Sequence, residues 1–442
     1  MMITLSPVPA IDDRPQAGTR PDSCPECASA DLAQVAGQPP WCGRCEWNLD
    51  ATIPSHGDGR FVRSIVRLDR RAGFRADRRL ARSSVTESAT RSRPTPAFLV
   101  LSLISVALVL LPVGALGAAV WLLVRGGTPL ILPLLLLGVA YALRPRLGSV
   151  RRITRGAYRL TRQRQPALHR LVARIADSVG APVPDIIVLD RDWNAAAAVV
   201  GLRRTRVLVL GIPLLVALRP QELVALIGHE LGHFRWADSR WRLLTQPART
   251  FFGALSTVIR PARGDAHDRG LEGLAALSYT IWRLVAGALS WLLSVVHLAM
   301  NTLDAWEGRR AEVRADSMAA RAAGTTGALS MIDLLALSPV LAPLIAPNGT
   351  PGAAMDMWRR DVAATREDHA QQLPLLRQLT IRQQASLLAS HPAPGRRHQV
   401  VAGMAYQDAV VVVTDGEAAT VDAELQPYVE ALRKQLAEAY EL

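Results

Sequence analysis

The chain has 442 residues, of which 50% are hydrophobic, 20% charged and 5% aromatic, and it carries a formal charge of +13. That length exceeds one minimal domain and can bury a sizeable core, and the composition excludes a disordered or fibrous chain. So much apolar content with so little charge also departs from an ordinary soluble enzyme, and part of the chain is expected in lipid.

Residues 1–23 hold Asp12, Asp13, Arg14 and several prolines without an apolar stretch, so they read as a disordered leader and not as an export signal. All four cysteines follow in two pairs, Cys24-Pro-Glu-Cys27 and Cys42-Gly-Arg-Cys45. Thiolates at that spacing can converge on one tetrahedral ion, each pair forming a knuckle whose amides point at sulfur. Residues 24–50 are therefore expected to form a zinc ribbon around one structural Zn²⁺, with Trp41 and Trp47 covering a core too small to fold without metal. Two redox dithiols are the competing reading, disfavoured by a cytoplasmic setting and by the lack of a thioredoxin-like βαβ pattern nearby.

Residues 51–96 read as a basic linker and juxtamembrane helix, with eleven arginines from Arg60 to Arg93 against Asp69, Asp77 and Glu87. A second block, Arg144 to Arg174, has ten arginines and no acid. Between the blocks, Ala97 to Val124 is 28 residues without a charge, more than the roughly 20 that a bilayer core demands. After Arg125-Gly126-Gly127 a second apolar run extends from Thr128 to Leu143, so 97–143 is expected to be a transmembrane hairpin. Basic blocks at both outer ends place those ends in the cytoplasm by the positive-inside rule. The arginines then face anionic lipid headgroups; a nucleic-acid surface is the weaker reading because both blocks flank the apolar runs.

From Pro220 the sequence runs Pro-Gln-Glu-Leu-Val-Ala-Leu-Ile-Gly-His-Glu-Leu-Gly-His, with proline at a natural first helical position. His229 and His233, at i and i+4, project from one helical face and can bind one Zn²⁺, while Glu230 can act as general base on a water activated by the metal. The competing reading is a buried amphipathic helix with hydrogen-bonded histidines. Corroboration comes 79 residues later, where Glu312 and Asp316 share a helical face one turn apart. Glu312 can complete a His₂Glu site, and Asp316 can orient a ligand histidine. Asp238 reads either as a further orienting group or as a helix cap.

The stretch between the two half-sites is long for a simple connection. It contains Leu284 to Met300, uncharged apart from His297, and a weaker apolar run from Leu243 to Ile259 broken by Pro247 and Arg249. A second membrane hairpin over 243–300 is expected, against the alternative of two amphipathic helices capping the site, which Arg249 and Arg283 favour. Near the C-terminus, Val410 to Val413 reads as a short strand. Val421, Leu425, Tyr428, Leu432, Leu436 and Tyr440 then mark an acidic amphipathic helix, completing a 403–442 tail.

The ordered combination of His-Glu-Leu-Gly-His with Asp238, Ala311-Glu-x-x-Ala-Asp316 and Ser390-His391-Pro392 with Arg397 resembles the HtpX-type and CAAX prenyl membrane zinc metalloproteases, over Arg144 to about residue 402. The resemblance implies a zinc metalloprotease domain at 144–402 and a second hairpin within it. It also implies that His391 and Arg397 face the substrate and steady an oxyanion beside zinc. Asn194-Ala195-Ala196-Ala197 stands where the family has an Asn-Ala-Phe-Ala stretch, with Ala in place of Phe. With the buried run Val207-Leu208-Val209-Leu210 this implies a sheet whose edge grips substrate backbone, making Asn194, Ala195, Val207 and Val209 substrate-binding candidates.

The expected whole is mainly α and integral to the membrane, with a zincin-type α+β metalloprotease domain, transmembrane hairpins and an N-terminal zinc ribbon. It is read as a multi-pass zinc endopeptidase of the cell membrane, with ribbon and active site in the cytoplasm, one catalytic and one structural zinc, and misfolded membrane proteins as substrates. The alternative is a membrane-tethered zinc-ribbon adaptor, an inactive protease homologue that binds a protein partner; the intact Glu230 weighs against it.

Overall fold

A computed structural model describes residues 22–35, 38–51, 60–83, 96–127, 129–143, 149–201, 203–235, 238–261, 272–345 and 351–440. The leader, apart from its last two residues, and the linker segments 52–59 and 84–95 lie outside the described residues.

The cysteine pairs bracket a two-strand ribbon, β1 (Leu32–Ala33) antiparallel to β2 (Trp41–Cys42). The residue after each pair, Ala28 and Glu46, adopts a left-handed backbone with φ 55° and 67°. This is a conformation that a side chain ordinarily resists. Helix α1 (Arg60–Ser83) follows; its Phe74, Asp77 and Leu80 are buried, and Arg63, Arg67, Arg71, Arg75 and Arg79 line the exposed side at a four-residue spacing.

The next helices are α2 (Pro96–Arg125) and α3 (Ile131–Leu143). Two stretches among the described residues are long and apolar enough to cross a membrane: Leu99–Arg125 in α2, and Gly273–Leu303 in a later helix. Helix α3 and the Thr250–Ile259 part of a third helix are apolar but shorter. Short α4 (Val150–Ile153) leads into a four-stranded sheet of β3 (Tyr158–Leu160), β4 (Ile186–Asp190), β5 (Ala195–Val200) and β6 (Thr205–Gly211) in the order β3-β4-β6-β5. Strand alternation sorts its faces: Ile187, Leu189, Leu208 and Leu210 join the main core, while Val188, Val200, Val207 and Val209 form a small cluster with Val150 and Ile153.

Helix α5 (Pro166–Val179) packs on the first face. After α6 (Ile212–Ala217) come the helices that matter most for the site: α7 (Pro220–Arg235), α8 (Asp238–Ile259) and α9 (Gly273–Ala336). At about 1.5 Å per residue, α9 extends without a loop from its apolar first half into the middle of the core, broken only at Gly324 (φ 78°). The apolar half of α9 packs on α8 through small residues: Ser290 donates to the Ser256 carbonyl at 2.8 Å, and the His297 ring lies 2.9 Å from where a Cβ at Gly253 would be. Helix α2 also packs on α3, α8 and α9.

Helices α10 (Ser338–Leu341), α11 (Ala354–Asp368), α12 (Leu373–Gln384), α13 (Pro394–Ala402) and α14 (Asp415–Tyr440) complete the chain. The expected strand at Val410–Val413 is absent. This segment instead hooks onto the α9 break, with Val411 N donating to Ala322 O at 2.9 Å and Thr325 N to Gln407 O at 2.9 Å. The break thus frees the Ala322 carbonyl, which accepts from Val411, and the Thr325 amide, which donates to Gln407, so the segment needs no sheet partner. The C-terminal helix is integral to the core: Val421, Leu425, Val429 and Leu432 are buried, and Glu424 accepts from the Ala167 and Leu168 amides at 2.7 and 2.9 Å, capping α5.

Candidate active site and metal centres

Helices α7 and α9 cross closely because their contact is lined by small residues. A Cβ at Gly228 would lie 3.0 Å from Ala322 Cβ, and one at Gly232 3.0 Å from Ala315 Cα. Glycine here is required by the approach of the helices and not by its dihedral freedom. This contact sets His229, Glu230 and His233 of α7 against Glu312 and Asp316 of α9. The N-terminal end of α7 is fixed separately, where buried Glu222 pairs with Arg366 of α11 and accepts from Ser330.

His229 Nε2 lies 3.7 Å from Glu312 Oε2, and His233 Nε2 lies 3.7 Å from Glu312 Oε1. Ligands about 2.0–2.1 Å from a tetrahedral ion stand about 3.3 Å apart, so a small closure would seat one. His229 Nδ1 is 2.9 Å from Asp316 Oδ1; with the proton there, Nε2 carries the free lone pair, and that atom is buried without a hydrogen-bond partner. An orphaned buried nitrogen facing a carboxylate and a second imidazole fits a bound cation. Desolvation brings the His233 pKa down to about 4, which keeps its ring neutral and able to coordinate. His391 joins the cluster, its Nδ1 2.6 Å from Glu312 Oε2, so that His229, His233, Glu312 and His391 bring their ligand atoms within 4.8 Å of one another. Desolvation pulls the His391 pKa down, but the adjacent Glu312 carboxylate outweighs it and the net shift is upward. Burial likewise raises Glu312, and His391, His233 and His229 more than reverse it, leaving its carboxyl well below the ordinary range.

Arg397 stands behind this cluster. It donates to Asp316 Oδ1 at 2.6 Å and Oδ2 at 3.1 Å, and its Nη2 lies 3.1 Å from His229 Nδ1. Burial pushes the Asp316 pKa up, the guanidinium outweighs it, and the carboxyl titrates at about 2. Glu230 is buried beside its ligand neighbours and does not belong to the four-residue cluster. The Asp238 side chain lies outside the described residues.

The strand candidates divide. Asn194 is exposed and its carbonyl accepts from Gly211 N at 2.7 Å; Ala195 opens β5, the sheet edge, which lies beside α7. Val207 and Val209 are corrected by the topology: β6 pairs with β4 on one side and β5 on the other, and both side chains are buried. An interior strand has no free amides or carbonyls to offer a substrate; the edges are β3 and β5, and β5 is the one beside α7.

The four cysteines form the second centre. Cys24 Sγ is 3.5 Å from Cys45 Sγ and Cys27 Sγ 3.6 Å from Cys42 Sγ, with all four sulfurs within 4.8 Å of one another. Sulfurs about 2.3 Å from a tetrahedral zinc would be about 3.8 Å apart, so the cluster suits a Zn²⁺. Desolvation raises the Cys24 thiol, but the backbone amides of Cys27 and Glu26 outweigh it and bring its pKa to about 7. Burial pushes Cys45 up to about 12.

What sequence reasoning missed is the support around the site: Gly228 and Gly232, Glu46, Asp69, and the buried Asp77–Arg309 pair at 2.8 Å three residues before Glu312. The small-xxx-small spacing of Gly228 and Gly232 was the one available signal.

Comparison with known proteins agrees with this geometry. Over 179 residues the chain is 27% identical to "Protease HtpX homolog" of Janthinobacterium sp. (strain Marseille), covering 40% of this chain and 59% of the relative. It is 30% identical over 186 residues to "Protease HtpX homolog" of Paracidovorax citrulli (strain AAC00-1), covering 40% and 59%. With "Protease HtpX" of Xanthomonas euvesicatoria pv. vesicatoria (strain 85-10) the identity is 28% over 188 residues, covering 41% and 62%. The chain thus spans about six-tenths of the length of the curated relatives it matches. No solved structure matches. The profile of Peptidase family M48 matches residues 162–405, the segment that holds every residue of the His/Glu cluster, and the chain belongs to that family.

Proposed function

We propose that the protein is a membrane-bound zinc endopeptidase that hydrolyses peptide bonds with the side chains gathered between α7 and α9. The single observation that carries this reading is the orphaned His229 Nε2, fixed by Asp316 on its other nitrogen and facing Glu312 and His233. His229, His233 and Glu312 would hold the catalytic zinc, which when bound supplies Lewis acidity that polarises a peptide carbonyl and acidifies water. Glu230 takes the proton of the attacking water and returns it to the departing amine. His391 is half-exposed, with Nδ1 occupied by Glu312, so its Nε2 is the donor for the developing oxyanion. Arg397, directed at Asp316 and His229, is a positioning residue in this reading, and the oxyanion role passes to His391 alone. Substrate backbone adds to the β5 edge beginning at Asn194 and Ala195. Cys24, Cys27, Cys42 and Cys45 would hold a structural zinc in a ribbon fold.

The membrane arrangement proposed is two hairpins, α2–α3 and α8 with the first half of α9. Support comes from the apolar side chains that those helices leave exposed, among them Leu103, Leu110, Leu274, Leu277 and Ile281. The boundary falls near Trp291, whose Nε1 donates to Ser64 of α1 at 2.9 Å, close to exposed Arg63 and Arg67. From Gly273 to Trp291 the helix rises about 27 Å, close to one hydrocarbon thickness. Ribbon and catalytic site then stand on the cytoplasmic side, and misfolded membrane proteins are the substrate class.

The test is cleavage of an unfolded protein in detergent by the wild type and by Glu230→Gln, with zinc measured on both. Two zincs in each and proteolysis in the wild type alone supports the reading. Inactivity of both with a single zinc favours an adaptor.

A further inference from the structure

The cysteine module and α1 are not an appendage: they are built onto the segment that delivers His391 and Arg397. That segment is the non-helical stretch 385–393 with the first turn of α13, and four sets of contacts hold it from the N-terminal side, three on the stretch and one on α13. Asp69 of α1 accepts from Ser386 Oγ at 2.6 Å and from the amides of Leu387 and Leu388 at 3.0 and 3.2 Å. Arg309, held by Asp77 of α1, donates to the Ser386 carbonyl at 2.8 Å. Gly73 presses α1 so close that a Cβ would lie 2.4 Å from the Ser386 backbone. Finally, Glu46 pairs with Arg396, which is 2% exposed and is the residue before Arg397.

Glu46 is the informative member. It follows Cys45 directly and occupies a left-handed turn where glycine would be unstrained, which costs a side chain about 1 kcal/mol. The side chain retained there meets both Arg396 and Arg78, the latter at 3.1 Å, and Arg78 in turn donates to the Cys45 carbonyl at 3.1 Å. On the other flank Trp41 donates to Gln378 of α12 at 2.8 Å, and Arg382 stacks 4.6 Å from the Trp41 ring. One run of bonds and adjacent residues thus joins the two metal clusters: Cys45, Glu46, Arg396, Arg397, Asp316, His229.

We propose that the cysteine module and α1 are an internal clamp that sets the positions of His391 and Arg397, with Glu46 and Asp69 as positioning residues, so that the catalytic geometry depends on the metal held by the four cysteines. This rests on the peptidase reading. Coupling of this kind is read as a response at one end to a change at the other.

The experiment uses the full chain in detergent, as wild type and as Glu46→Gln, Glu46→Asp, Asp69→Asn, Gly73→Ala and Cys42→Ser. Zinc stoichiometry, amide hydrogen exchange over 385–398, and kcat and KM on an unfolded protein are measured together. Glu46→Gln and Asp69→Asn are expected to keep two zincs, to exchange faster across 389–397, and to lose about 10- to 100-fold in kcat with KM within about twofold. Glu46→Asp, which retains the carboxylate, restores most of that loss. Gly73→Ala removes no bond and adds one methyl group, so it reproduces the effect even where another variant fails to fold. Cys42→Ser is expected to bind one zinc and to match Glu46→Gln in exchange and kcat. Wild-type exchange over 389–397 and wild-type kcat in Glu46→Gln, Asp69→Asn and Gly73→Ala would overturn the clamp; the same result in Cys42→Ser would overturn its dependence on the cysteine-bound metal. A wild type that cleaves nothing would instead count against the peptidase reading, and exchange with zinc stoichiometry would still decide the clamp.

Discussion

At Glu230 the sequence and the structure make different contributions. The motif places a carboxylate one residue from a ligand histidine; the fold buries it and leaves it out of the ligand cluster, as a proton carrier requires. Glu230→Gln should therefore lower kcat by about 10²- to 10⁴-fold without loss of zinc, read by single-turnover cleavage with metal analysis. Arg397 is the complementary case. Its guanidinium keeps Asp316 ionised down to about pH 2, and ionised Asp316 holds the His229 Nδ1 proton that leaves Nε2 free. A carboxyl whose folded pKa is depressed contributes above its unfolded value and is lost as pH falls through its folded value. Arg397→Gln removes the group that outweighs burial, so the Asp316 pKa rises and protonation begins at higher pH. Zinc release from the catalytic cluster on acidification should shift to higher pH in the variant, and a release curve superimposable on wild type would contradict that role. The signs of these two residues were unequally legible: Glu230, Glu312 and Asp316 lie at fixed helical spacing in the sequence, whereas the partner of Arg397 is 81 residues away and follows only from the packing of α13 on α9.

Among the elements, the α7–α9 crossing decides whether the two halves of the metal site meet. Helix periodicity could assign both helices, and the long apolar run of α9, but not the distance between them. That distance depends on Gly228 and Gly232 lying against Ala315, Ala319 and Ala322, small residues that read in sequence as ordinary helix composition. Gly232→Val would place a branched side chain where the Ala315 backbone already stands at 3.0 Å from a Cβ. The expected outcome is a loss of about 1–3 kcal/mol in stability and loss of the zinc at His229 and His233, while the cysteine-bound zinc is retained. Thermal unfolding with metal counting checks it, since one zinc in place of two identifies which site was pried open. The sheet shows the opposite balance. Of its strands only Val207–Leu210 is legible as an apolar run, and which strands form the edges is a property of pairing order, which leaves Val207 and Val209 interior and β5 at the edge beside α7.

On the scale of the whole molecule, α9 joins an apolar exposed surface to the buried site. Its first half presents Leu274, Leu277, Ile281 and Leu292 outward, and its second half carries Glu312 and Asp316 fully inside the protein. Helix α1 runs alongside in the same direction, meeting α9 at Ser64–Trp291, at Asp77–Arg309 and at Leu80–Val313, so its arginine stripe starts where the apolar surface of α9 ends. In the proposed membrane arrangement, the cost of a cation at bilayer depth, at least about 2.5 kcal/mol, would hold Arg63 and Arg67 at the headgroup layer and limit how far α9 sinks, with Arg283 the one cation of that half left to be accommodated. Glu312 would then stand about 31 Å further along the helix from Trp291, clear of the lipid in that arrangement. In the proposed arrangement α2 with α3, and α8 with the first half of α9, form two hairpins whose outer ends share the side of the catalytic cluster. A phosphatase reporter that works only outside the cytoplasm should be active when fused after Arg125 or after Ala262, and inactive when fused after Ser83, Arg155 or Tyr440. Activity after Arg125 alone would mean that α8 and the first half of α9 stay on the cytoplasmic side as a cap over the site, as the charges at Arg249 and Arg283 would favour, and the anchoring would then rest on α2 and α3 alone.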